Sequence, residues 1–253
     1  MSMWNTTLVA TSLNLRIERG HEASDYRLSG DVARSQLQFD PDFICNYEDM
    51  EGCASDEYDG MLAAGFARIA ATDDRQGRGV SCWVKRDYSA KKIFSMASPH
   101  FMHVRIVNDE DIEINLLILR ILVSDSGISD YKDRFAQWSK AMQYVDSLTD
   151  KTNIVLVGDW NHGVIGDLKS YSGKSRQYFN FQMIKKSLLD RNIQMVPLAG
   201  YSFKGFMAID HLAVSSTVSA ENARYVDVYG TDVSEIGIPD HSFIVSELRM
   251  CGY

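Results

Sequence analysis

The run Ile154-Val155-Leu156-Val157 is apolar at every position and stops abruptly at Gly158-Asp159-Trp160-Asn161. A strand without a polar face has to be covered on both sides, so the run reads as a central strand, Asn153 to Val157. The pattern of apolar run and acidic border recurs. Phe243-Ile244-Val245 leads out of Pro239-Asp240-His241-Ser242, and Ile209-Asp210-His211-Leu212-Ala213-Val214 lies between the two. Buried strands that end in carboxylates, an amide and an imidazole can bring those groups to one rim of a sheet.

The remaining pattern alternates strands and helices. Strands are expected at 7–15, 79–85, 112–123, 209–215 and 242–248 from β-branched content and length. Pro41 to Cys45 reads as a turn into a short buried strand, and 30–38 as a weak helix. Tyr131 to Leu148 is the best helix, with Tyr131, Phe135, Trp138, Met142, Val145 and Leu148 on one face. A second helix is expected over 176–190, with Tyr178, Phe181, Ile184, Leu188 and Leu189 inward. Strands outnumber helices. Two packed sheets with helices outside fit this order, and so does a single mixed sheet.

No repeat, low-complexity stretch or Pro/Gly-rich linker divides the 253 residues, so one domain over 1–253 is expected. The formal charge of −8 gives no general basic surface for nucleic acid, although a local basic rim would suffice for an enzyme. The cysteines are Cys45, Cys53, Cys82 and Cys251. None has Cys-x-x-Cys spacing, which argues against structural zinc, and Cys45 and Cys82 read as buried thiols. The N-terminal residues lack a signal-peptide pattern, and the longest apolar segment, 112–123, is too short to span a bilayer. A soluble cytoplasmic protein without membrane association is the expectation.

Each acidic motif alone reads first as a turn or a solvated loop. Together they offer a different chemistry, metal-assisted attack of water on a phosphate ester. Asp159 could accept a hydrogen bond from the attacking water. Asn161 could donate to a phosphoryl oxygen. His241 could carry a proton, with Asp210 holding its tautomer. Glu48 could bind a hard cation such as magnesium, with Asn14 positioning it. The nearby Asp49, Glu51, Asp56, Glu57 and Asp59 read as a solvated acidic loop.

These pieces, in this order, resemble the endonuclease/exonuclease/phosphatase superfamily, which includes deoxyribonuclease I-like nucleases and inositol polyphosphate 5-phosphatases. The likeness runs from about Leu8 to Leu248. Ser12-Leu13-Asn14-Leu15 is similar to the family's opening strand. Pro41 to Glu48 is similar to its metal-binding segment, with Tyr47 where Gln is usual. Gly158-Asp159-Trp160-Asn161, Ile209-Asp210-His211-Leu212 and Asp240-His241 resemble its remaining motifs, with Pro239 in place of Ser. The resemblance implies a four-layer α/β/β/α sandwich of two packed mixed sheets. It also implies a metal-dependent phosphoric ester hydrolase. Mg²⁺ or Mn²⁺ would be held by Glu48, assisted by Asn14 and Asp240. Asp159, Asn161, Asp210 and His241 would carry the catalysis.

One departure concerns the strand before the long helix. Many members carry a His or Tyr at its end, whereas Leu119 to Asp125 here has neither. Arg120 is the candidate phosphate contact in that place. His100 and His103 lie too far upstream to fill it without a different alignment. Lys169, Lys174, Arg176 and Lys204 lie near the motifs, and Lys204 is flanked by Tyr201, Phe203 and Phe206. Basic residues interleaved with aromatics suit a phosphate backbone and stacked bases. A nuclease is therefore the leading expectation, with DNA ahead of RNA and Arg120, Arg176 and Lys204 as substrate contacts. The acidic net charge favours the alternative, a phosphatase or phosphodiesterase on a small phosphate ester. A non-catalytic binding protein is the third reading.

Overall fold

Two pairs of parallel neighbours set the architecture, because a parallel pair needs a crossover rather than a hairpin. β1 (Met3–Ser12) runs parallel to β2 (Phe43–Asp49), with α1 (Asp31–Leu37) in the connection. α2 (Ser55–Ala63), β3 (Phe66–Ile69) and β4 (Gly79–Lys85) follow. β5 (Ser89–Met96) and β6 (His100–Val107) form a hairpin that continues into β7 (Glu113–Arg120). β7 is joined through α3 (Ile128–Ser147) to its parallel neighbour β8 (Ile154–Ile165). α4 (Phe181–Leu189), β9 (Ile193–Met195), β10 (Met207–Ser215), β11 (Val218–Val226) and β12 (Phe243–Cys251) complete the chain. This computed structural model describes residues 3–15, 28, 31–50, 55–69, 79–124, 127–165 and 177–251.

The strands make two six-stranded mixed sheets, ordered β11-β12-β1-β2-β4-β3 and β5-β6-β7-β8-β10-β9. Their inner faces pack through Leu8, Ala10, Phe43, Cys45, Leu116, Ile118, Val155, Val157, Leu212 and Ile244. α3 and α4 cover the outer face of the second sheet through Trp138, Met142, Val145, Ile184 and Leu188. Ala33 of α1 and Met61 of α2 pack on Ile44, Trp83 and Phe243 outside the first. The result is the expected α/β/β/α sandwich. No helix among the described residues is long and apolar enough to cross a membrane.

Several boundaries differ from the sequence expectation. β8 does not stop at Val157 but runs on through Asp159 and Asn161 to Ile165, so this motif lies inside a long strand. The second helix begins at Phe181, where the Asn180 side chain accepts a hydrogen bond from Met183 N at 3.0 Å and caps it. Tyr178 precedes that helix, and Leu189 is exposed. Phe135 of α3 is also exposed rather than inward. Asp49 is no part of a solvated loop: it is buried and bonded to Arg68 at 2.9 Å. β5 and β11 are edge strands. Their exposed polar positions hide the apolar alternation that marks a half-buried strand. Cys45 and Cys82 are buried free thiols on facing positions of β2 and β4.

Gly158 is required by close packing. A Cβ there would lie 1.7 Å from the Leu119 carbonyl oxygen of the adjacent strand. Gly158→Ala is therefore expected to force β7 and β8 apart and lower stability by about 2 kcal/mol or more. Chemical denaturation measures it; an unchanged midpoint would refute the close approach.

Candidate active site

Alternation builds the site. Side chains two apart on a strand share a face, so the inner-face residues of the core point into the space between the sheets. On β7 this series is Leu116, Ile118, Arg120; on β8 it is Val155, Val157, Asp159; on β10 it is Val214, Leu212, Asp210. Each series is apolar until the same rim and then becomes charged. Asp159 and Asp210 face each other across the β8–β10 pair. β2 contributes Phe43, Cys45 and Tyr47 to the inner face, and then its register with β4 shifts between Tyr47 and Asp49. Glu48 sits at that bulge with φ +54°. The bulge breaks the alternation and re-aims the glutamate toward the rim.

Asn14 and Asn161 share this left-handed backbone, at φ +51° and +47°. Asn tolerates it better than Glu does, and such residues cluster where a fold holds a side chain in one orientation.

Asp210 and His241 form the centre. His241 Nδ1 donates to Asp210 Oδ2 at 2.7 Å. Asp210 is fixed in turn: Ser202 Oγ accepts from Ile209 N and Asp210 N, and Tyr225 OH donates to the Asp210 carbonyl at 2.6 Å. Burial alone would pull the His241 imidazole down, but Asp210, Asp159 and Asp240 outweigh it and push its pKa up to about 10. His241 is thus an imidazolium at neutral pH. Its Nε2 lies 3.9 Å from Asp240 Oδ1. Burial, followed by the charge of Asp210, raises the Asp159 carboxyl to about 7 against the opposing pull of His241 and Arg120. Tyr47, in the place where the resemblance expects Gln, is fully buried, and burial pushes its phenol up.

Asn161 has a different role from the one expected. Its side-chain Nδ2 donates to Asp159 Oδ2 and to the Ile121 carbonyl, both at 2.8 Å. Both amide hydrogens are used, leaving none for a phosphoryl oxygen. Asn161 N also donates to Asp159 Oδ1 at 2.9 Å, so the residue holds the aspartate in place. Asn14 Nδ2 donates to the carbonyls of Glu235 and Ile238 and clamps the loop that leads to Asp240 and His241.

Arg120 is buried and donates through Nη2 to Glu48 Oε1. Its Nε lies 3.7 Å from Asp159 Oδ2. His100, remote in sequence, is the cross-strand partner of Arg120 in the β6–β7 pair and shares its face of the sheet. Distance along the chain therefore does not keep His100 from the rim. His103 is held away from it, between Tyr144 OH and Asn115 Oδ1. Lys204 is exposed, with Nζ 5.0 Å from the centre of the Phe203 ring, which itself lies 4.6 Å from the His241 ring. Arg176, Lys169 and Lys174 lie outside the described residues.

The supporting residues of α3 escaped the sequence reading. Arg134 Nη1 donates to the Asn161 carbonyl at 2.8 Å, and Gln137 bonds both backbone groups of Leu122. Their signal is a pair of polar residues three apart on the inward side of an amphipathic helix. Ser202 had no comparable signal, because its bonds depend on a turn returning to β10.

The ligand atoms of Asp159, Asp210 and His241 lie within 4.8 Å of one another, a spacing that could hold a metal ion. Several of the carboxylate oxygens around this rim accept hydrogen bonds. Both Asp159 oxygens accept from Asn161, Asp210 Oδ2 accepts from His241, and Glu48 Oε1 accepts from Arg120. Of the Asp159 and Asp210 carboxylate oxygens, only Asp210 Oδ1 accepts no hydrogen bond from a described residue. The Mg²⁺ or Mn²⁺ that the resemblance implies at Glu48 does not fit this arrangement, because the Arg120 guanidinium already stands there as the counter-charge.

No family model and no curated protein matches the chain. Solved structures do. An endonuclease/exonuclease/phosphatase family protein from Bacteroides thetaiotaomicron superposes with a TM-score of 0.63 at 15% identity, covering 100% of both chains. ANGEL2, a 2',3'-cyclic phosphatase in complex with adenosine-2',3'-vanadate, gives 0.64 at 11% identity, covering 98% of this chain and 96% of that one. D. rerio TDP2 complexed with single-strand DNA product gives 0.62 at 11% identity, covering 96% and 98%. The chain has the fold of these proteins, the one its sequence motifs resemble.

Asn161 tests how the rim is held. Asn161→Ala removes both amide donations and places an alanine at positive φ, with an expected loss of about 1–3 kcal/mol. Asn161→Gly relieves the backbone and is expected to lose less. Equal losses in urea titrations would show that the left-handed backbone is not a constraint.

Proposed function

We propose that the protein is a phosphoesterase that cleaves phosphodiester bonds of nucleic acid, with DNA ahead of RNA. The observation that carries this reading is the Asp159–Asp210–His241 triangle at the polar end of the inter-sheet core. Its two titrating members are pushed into complementary states, Asp159 to about 7 and His241 to about 10. Opposed environments of this kind separate a base from an acid.

In this reading the ionised Asp159 takes a proton from water as its oxygen attacks phosphorus. Asn161 keeps the carboxylate aimed. His241, protonated and held through Nδ1 by Asp210, presents Nε2 to the phosphate and gives a proton to the departing ester oxygen. Arg120 supplies positive charge beside Asp159. Asn14 and Ser202 position the two segments that carry His241 and Asp210. Mg²⁺ or Mn²⁺, with Glu48, Asn14 and Asp240 as ligands, remains the implication of the sequence resemblance. No step is assigned to the ion here because Arg120 already stands as the cation on Glu48.

The preference for nucleic acid rests on the exposed Tyr201, Phe206 and Lys204, with Phe203 beside His241. Such groups can take bases and backbone phosphates. TDP2 holding a DNA product and ANGEL2 as a cyclic phosphatase are in keeping with a phosphoester substrate. The formal charge of −8 favours a second reading, a small phosphate ester.

A panel of supercoiled plasmid, single-stranded DNA, RNA and a bis-aryl phosphodiester, each with Mg²⁺, Mn²⁺ or chelator, tests the proposal. Cutting of a nucleic acid is expected, reduced about 10²–10⁴-fold by His241→Ala. Cutting of the small diester alone would transfer the reading to small esters, and no cutting of any substrate would refute it. On the active substrate, kcat/KM should rise about tenfold per pH unit below pH 7, level off as Asp159 ionises, and fall near pH 10 as His241 loses its proton. A flat profile between pH 5 and 8 would remove Asp159 as the base.

A further inference from the structure

We propose that Arg120 is a built-in cation that occupies the place of a divalent ion between Glu48 and Asp159. This rests on reading the rim as the phosphoesterase site, but its test reads ion binding and not hydrolysis. Arg120 ends β7, and its side chain continues the inner-face series Leu116, Ile118 into the rim. There it is buried, with Nη2 on Glu48 and Nε 3.7 Å from Asp159 Oδ2. One guanidinium therefore bonds Glu48 and stands beside Asp159, the two carboxylates that a metal between these strands would lie between.

The two cations exclude each other. A magnesium ion binds a carboxylate oxygen at about 2.0–2.1 Å and demands near-octahedral surroundings. At Glu48 it would share the carboxylate with Nη2 and lie directly against the positive charge of the guanidinium. The backbone supports the arginine pairing. The bulge at Glu48 holds a glutamate in the left-handed region, which aims its carboxylate at Arg120. Asn161 engages both oxygens of Asp159 and holds that carboxylate beside Arg120. Unlike a metal, the guanidinium cannot be removed by chelator, and it brings one positive charge rather than two. Glu48 is then a positioning residue that holds Arg120 beside Asp159, and Arg120 is the group that faces the phosphate.

Mn²⁺ titration followed by electron paramagnetic resonance tests this on wild type, Glu48→Gln, Arg120→Gln and the double variant, each checked for folding by circular dichroism. Wild type is expected to bind no Mn²⁺ that Glu48→Gln removes. Arg120→Gln is expected to gain one site, and the double variant to lose it. Wild type binding one Mn²⁺ that Glu48→Gln abolishes would overturn the proposal, as would a folded Arg120→Gln that gains no site. Should Arg120→Gln not fold, wild type and Glu48→Gln still decide: a Glu48-dependent Mn²⁺ site overturns the proposal, and its absence supports it. Hydrolysis by wild type in chelator is the matching activity readout. Failure of the function reading shows as an inactive protein, whereas failure of this proposal shows as a Glu48-dependent ion.

Discussion

The rest of the site depends on pairing charges that the fold has taken out of water. Glu48, Asp159 and Asp210 stand at the end of a core that is otherwise apolar, with Arg120 and His241 as their counter-charges. An unpaired charge in such a place is expensive, and removing one partner of a buried pair costs about 3–5 kcal/mol. The rim is therefore a set of mutually required side chains. Its supports follow from that need: a bulge that turns Glu48, an asparagine in left-handed backbone that holds Asp159, and a serine and a tyrosine that fix Asp210. The helix of the second sheet takes part too, since Arg134 and Gln137 grip the backbone on either side of the rim.

Much of this was legible in the sequence. A long apolar run that turns acidic at one end identifies both a covered strand and its functional border, and the recurrence of that pattern on β8, β10 and β12 places three borders together. The excess of strands left two packed sheets or one mixed sheet open, and the family resemblance implied the two-sheet sandwich. The edge strands β5 and β11 did not show, because half-solvated edges carry too little apolar alternation. The length of β8 beyond Val157 did not show either. Asp159 and Asn161 look like turn residues; pairing with Asp210 of β10 keeps Asp159 in the strand, and the register shifts just beyond it.

Side-chain partnerships were the least legible part. The sequence placed Arg120 at the end of its strand and suggested a phosphate contact. It could not show that Glu48, from the other sheet, would meet that guanidinium. His100 illustrates the same gap, since antiparallel pairing of β6 and β7 sets it directly opposite Arg120 despite the intervening chain. Asn161 and Asn14 were read as groups facing substrate or metal. The geometry gives the Asn161 amide nitrogen to Asp159 and Ile121 instead, and the Asn14 amide nitrogen to the loop before Asp240. Residue type and spacing locate a site, but long-range packing decides which donors remain open.

The account depends on a division of labour in which Asp159 is the base and His241 the acid, each set by its neighbours. Nuclear magnetic resonance of the imidazole nitrogens and aspartate carboxyls reads this directly. The account predicts that His241 keeps both ring protons from pH 6 to beyond pH 8, consistent with a pKa of about 10, while one buried carboxyl, lost in Asp159→Asn, titrates near pH 7. A neutral His241 at pH 7, or an Asp159 that ionises near its ordinary value, would contradict it.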